Sequence, residues 1–200
     1  MTRLHLASLA FAFALPCADL AASPTDTVEK FHNTLSENMA QSAKLHCEGR
    51  IGRLTPVVDA TYDLPFIAEK ALRKHWKALD DSQRKAFLET MRTSVISTYA
   101  TEFAKPGAVS FTTIGSEILP SGDALVHTTL KPGVGGPPVS LDYVLKARGS
   151  DYKVVNVLAE GVSDLALRAS QYDSLMKAEG FAALMTKLDA QNQEMRSRCK

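Results

Sequence analysis

The chain has 200 residues, 45% of them hydrophobic and 22% charged, which suits one domain with a sizeable core. Its formal charge of +1 supplies no field for nucleic acid. No internal repeat or low-complexity segment suggests a solenoid or a disordered tail.

The N-terminus MTRLHLASLAFAFALPCADLAAS carries Arg3, an apolar stretch from Leu6 to Leu15 and small residues near Ala22. This is the order of a secretory signal peptide, and the apolar stretch is shorter than the roughly 20 residues of a membrane-spanning helix. Pro16 stands immediately before Cys17, where lipoprotein processing needs a small residue, so ordinary cleavage near Ala22 is expected. The expected organisation is a signal peptide over 1–22 and a single domain over 23–200, exported and with no further membrane-spanning segment. Cys47 and Cys199 remain after cleavage, in a compartment where a disulfide persists. Their pairing is expected, with two separate thiols as the alternative.

Val28, Phe31, Leu35 and Met39 recur at helical intervals behind an Asp26/Glu29 capping-box pattern, which predicts a first helix over about 26–46. The segment LTPVVDATYDLPFIAEKALRKHW predicts two short helices, with Pro56 and Pro65 near helix starts. Asp80 and Gln83 form another box, and Phe87, Leu88, Met91, Val95, Tyr99 and Phe103 mark one face of a long helix that ends at KPG, 105–107. From Val109 the period becomes two. LPSGD, KPGVGGPP and ARGSD then separate four strands near 108–118, 123–131, 138–147 and 151–159, and such short turns imply an antiparallel meander. In the third strand Val139, Leu141, Tyr143 and Leu145 share a face, opposite Ser140, Asp142 and Lys146.

The stretch VVNVLAEGVSDLALRASQY turns from strand to helix. Ser163 caps a helix with Leu165, Leu167, Tyr172 and Leu175 among its apolar positions, and Gly180 breaks the chain before Phe181, Leu184, Met185 and Leu188 resume the pattern. The fold class is α+β: a curved antiparallel sheet of about four strands, covered by N-terminal and C-terminal helices, an arrangement that can enclose an apolar cavity.

Reaction chemistry has little support in these residues. Ser163 follows a strand, but EGVSD is not G-x-S-x-G, and no base accompanies it. GVGG within KPGVGGPP lacks the Lys-Ser/Thr of a phosphate loop. His32, His46, His75 and His127 show no metal-ligand spacing, and no cofactor is implied. Trp76, Phe66 and Ile67 read as core more than as pocket. Glu160 is either a solvated strand end or a carboxylate facing a pocket. An enzyme with acid–base chemistry would have to draw on Asp142, Tyr143 and Glu160; a transporter adaptor that binds no lipid is a further alternative. An excess of apolar surface fits a cavity for a hydrophobic ligand, and a filled core would give the same pattern.

LPFIAEKALRKHWKALDDSQRKAFLE, then Tyr99 and Phe103, then VVNVLAEGVSDLALRASQYDSLMKAEGFAALMTKL together resemble the MlaC-type periplasmic lipid carriers over about residues 26–190. PVVDATYDLPFIAEKALRKHW is most similar to the hopanoid-associated (HpnM) branch, with Arg73 where many members have Gly. The resemblance implies a periplasmic carrier for a phospholipid or hopanoid, with an RND-type or ABC-type inner-membrane transporter as partner. Its candidate lipid-binding side chains are Phe87, Met91, Val95, Tyr99, Val139, Leu141, Tyr143, Leu145, Val155, Val157, Val162, Leu165 and Tyr172. Whether Val155 and Val157 or Val154 and Leu158 face the lipid stays open.

Overall fold

In a computed structural model, whose described residues are 23–199, two helices precede everything else. The expected signal peptide lies outside the described residues. Helix α1 (Pro24–Ala40) begins one turn earlier than the sequence suggests, because Ser23 and Asp26, not Asp26 and Glu29, form its reciprocal capping box. Helix α2 (Ser42–Thr61) follows after a break at Gln41, so the expected helix over 26–46 is divided, and the backbone kinks again at His46 (φ 51°, ψ −172°).

Pro56 corrects a second expectation: it sits inside α2 and not at a helix start. Proline there leaves the Gly52 carbonyl without its usual donor, a local cost. Leu54 and Val58 flank it with no exposed surface, so core burial holds this turn against its own propensity. Pro65 does stand in the first turn of α3 (Leu64–Leu72), where its missing N–H costs nothing. A short 3-10 turn, Arg73–Ala78, leads to α4 (Asp81–Glu102), whose expected Asp80/Gln83 capping box is present.

The meander comprises β1 (Val109–Ile118), β2 (Ala124–Pro132), β3 (Val139–Arg148) and β4 (Asp151–Ala159), close to the four predicted runs. A two-residue β5 (Val162–Ser163) extends it, and the sheet order is simply β1-β2-β3-β4-β5. All neighbours are antiparallel, as hairpin connections require. Helices α5 (Asp164–Ala178) and α6 (Gly180–Arg198) complete the chain, with Gly180 at φ 81° making the break between them.

The apolar faces of helices and sheet meet in one core that includes Phe31, Leu35, Leu54, Phe87, Tyr143, Leu145, Val154 and Leu184. The observed architecture is therefore α+β, with a curved antiparallel sheet of five strands, the last very short, against flanking helices. Cys47 on α2 and Cys199 after α6 are joined by a disulfide, with their Cα atoms 5.3 Å apart. Among the described residues, no helix is long and apolar enough to cross a membrane.

Candidate functional site

The corner between β4 and α5 is made by a two-residue turn, Glu160–Gly161, both with positive φ (50° and 76°), between the paired residues Ala159 and Val162. Such a turn matches the right-handed twist of the two strands. Ser163 then caps α5: its hydroxyl accepts the Ala166 N–H at 3.0 Å and lies 3.1 Å from Asn156 Oδ1. Asn156 Oδ1 also accepts the Leu165 N–H at 3.2 Å. The Glu160 carboxylate takes the backbone N–H of Ser140, fastening the corner to β3. Ser163 is thus committed to the Ala166 N–H and the Asn156 side chain, and Glu160 to the Ser140 N–H.

A cavity of about 260 Å³ lies beneath this corner, between β4, α4 and the start of α5. Its wall combines Tyr62, Ile67, Met91, Val95, Tyr99, Val155, Val157, Ala159 and Leu165 with Thr98, Asn156, Asp164 and Arg168. The two charges answer each other, Arg168 Nε lying 2.6 Å from Asp164 Oδ2. Burial opposes the charge on Arg168, but Asp164 and Tyr172 outweigh it and raise its pKa. The cavity is therefore an apolar, charge-balanced space. A larger groove of about 530 Å³ between α1, α2 and the start of β4 has Asp26, Lys30, Asp151 and Lys153 among its lining residues, with Pro56, Val57 and Tyr152 beside them.

Of the candidate lipid-binding side chains, Met91, Val95, Tyr99, Val155, Val157 and Leu165 are in this wall. Phe87, Tyr143, Leu145 and Tyr172 are buried in the core, while Val139 and Leu141 are half-buried on β3. Val162 is 53% exposed at the sheet end. On β4 a bulge interrupts the alternation: Tyr143 pairs with Val157 and Leu145 with Val154, leaving Val155 as the extra residue. Consecutive Val154 and Val155 are consequently both buried, at 0% and 3% exposure, which strict alternation forbids. Sequence reasoning missed Tyr62, Ile67, Thr98, Asn156, Ala159, Asp164 and Arg168. Ile67 carried a signal, as an apolar neighbour of Trp76 in a helical pattern.

The residues a catalytic reading would need do not converge. Asp142 lies 3.5 Å from His127, while its neighbour Tyr143 points to the opposite face, 2.9 Å from His32 Nε2. Glu160 is held at the corner. Trp76 packs against Phe87, and Phe66 lies under Lys70, Lys146 and Arg148, 5.2–5.7 Å from its ring centroid.

A meander of antiparallel strands covered by helices, with a largely apolar cavity where β4, α4 and α5 meet, defines the class as a helix-covered, curved-sheet protein. The MlaC protein family model matches residues 25–190, and the chain belongs to that family. Its fold is similar to that of a phospholipid-binding protein from Ralstonia solanacearum, solved in complex with a phospholipid, at 19% identity and a TM-score of 0.72. That similarity covers 88% of this chain and 99% of the other. No curated protein matches the sequence significantly.

Proposed function

We propose that this protein is a periplasmic lipid carrier that holds acyl chains in the cavity between β4, α4 and α5 and passes its cargo between membrane complexes. The cargo is a phospholipid or a hopanoid, and the partner an RND-type or ABC-type inner-membrane transporter. The apolar, charge-balanced cavity carries this reading. Membership of the MlaC family and a fold shared with a phospholipid-bound protein support binding over catalysis.

Binding proceeds by burial of hydrocarbon, at roughly 25 cal/mol per Å² removed from water, with no covalent step. At about 260 Å³ the cavity lies just below the roughly 300–1,000 Å³ of ligand pockets. Admission of a whole lipid therefore requires α3 or α5 to move away from β4.

Lipid mass spectrometry on protein purified from its own periplasm tests the reading, with stoichiometric lipid as the expected result and lipid-free protein as the contrary one. Val157→Glu puts a carboxylate in the cavity wall and should lower co-purified lipid by at least about tenfold. Lys131→Glu, on the exposed end of β2, should leave it unchanged. Circular dichroism on both variants separates loss of lipid from loss of fold.

A further inference from the structure

Two polar groups in the cavity wall carry a proton that no protein acceptor among the described residues takes. Tyr62 Oη and Tyr99 Oη lie 2.5 Å apart, and each makes its sole side-chain hydrogen bond among the described residues with the other. Two phenols bring two protons, and the bond between them uses one. Whichever phenol donates, the other retains an O–H with no protein acceptor among the described residues, in a wall where Ile67, Met91, Val95 and Val157 stand beside the polar Thr98, Asp164 and Arg168.

Asn156 supplies a second, independent donor. Its Oδ1 is identified by the Leu165 N–H and is occupied at the β4–α5 corner, which leaves the Nδ2 amide protons without a protein partner among the described residues. Asp164, the carboxylate in the wall, is engaged by Arg168 through Oδ2, and neither phenol nor the Asn156 amide is hydrogen-bonded to it. The spare phenol proton and the Asn156 amide protons thus meet no protein acceptor among the described residues, and a pure hydrocarbon would leave them unsatisfied, a recognised cost in an apolar setting.

We propose that the cavity selects lipids by an acceptor oxygen within their buried part, an acyl-ester carbonyl seated against the Tyr62–Tyr99 pair and the Asn156 amide. This rests on the carrier reading and adds the chemical class of the cargo to it. Burial pushes the Tyr99 phenol up to about 12, and Tyr62 is also raised by burial, so both stay protonated donors throughout the physiological range.

The test compares a 1-monoacylglycerol with the 1-O-alkylglycerol of equal chain length, which lacks the carbonyl, by calorimetric titration of delipidated protein. The wild type should bind the ester roughly three- to tenfold more tightly, the range of one net hydrogen bond. Combining Tyr62→Phe with Tyr99→Phe should lower the ratio towards one, leaving at most what the Asn156 amide sustains, without weakening the ether. At least one single Tyr→Phe variant should keep the preference, since its remaining phenol retains a proton.

Equal binding of both probes by the wild type would overturn the proposal and leave the carrier reading standing, an outcome that needs no variant to fold. A folded double variant that prefers the ester as strongly as the wild type would overturn the role of the phenols. A wild type that binds neither probe would overturn the carrier reading together with this one.

Discussion

His32 is 4% exposed on α1, stacked against Phe111 at 4.1 Å between centroids and bonded to the Tyr143 hydroxyl. Burial lowers its pKa from 6.5 to about 4. Above pH 6.5 the ring is neutral in folded and unfolded chains alike. Between 6.5 and 4 only the unfolded chain takes up the proton, so stability falls as pH falls and levels off below 4. The loss attributable to His32 is about 3 kcal/mol by pH 4. Urea melts at pH 7 and 4.5 should show that decline, and His32→Gln should flatten it even if it lowers stability at pH 7. Arg73 offers a change of opposite sign. Its backbone is at φ 50°, ψ −125°, a region where glycine alone is unstrained, and its side chain is exposed. Arg73→Gly should stabilise the protein by about 1 kcal/mol in the same melts.

At the scale of elements, the β4–α5 corner is the joint on which the cavity depends. Ser163, Asn156 and the Glu160–Gly161 turn fix where α5 leaves the sheet, and therefore where Leu165 and Arg168 meet the wall. Ser163→Ala removes the cap and the contact with Asn156 together. It should cost about 1 kcal/mol in thermal unfolding, within the range of lost N-caps. Amide exchange should quicken first over residues 164–168, where the helix start loses its acceptor. A nucleophilic serine would instead lose an activity and keep its local protection.

Over the whole molecule, the disulfide ties the second helix to the last residues across a sequence separation of 152. Closing so long a loop restricts the unfolded chain by on the order of 5 kcal/mol in the chain-entropy treatment. Arg50, 1% exposed, sits beside it, donating to the Ala100 carbonyl at 2.9 Å and lying 3.4 Å from Cys199 Sγ. The bridge, Arg50 and the packing of α6 on α4 together brace the side of the cavity away from the sheet. Replacing both cysteines by serine should lower the denaturation midpoint sharply while leaving the sheet's circular dichroism intact under native conditions.

Local periodicity alone settles a large part of this protein. The period-two runs from Val109 to Ala159 with their turn residues, the Asp80/Gln83 box, the Ser163 cap and the break at Gly180 all follow from interactions within a few residues, so the α+β class and the strand boundaries are legible in the sequence itself. What tertiary packing decides is where local rules compete with burial. Pro56 stays inside a helix because Leu54 and Val58 are in the core, and Val154 and Val155 both face inward because a bulge absorbs one residue of β4. The cavity itself belongs to the second kind. Tyr62 and Tyr99 are 37 residues apart, and Asn156 more distant still, so their convergence on one wall depends on how helices cross the sheet, which no spacing along the chain encodes.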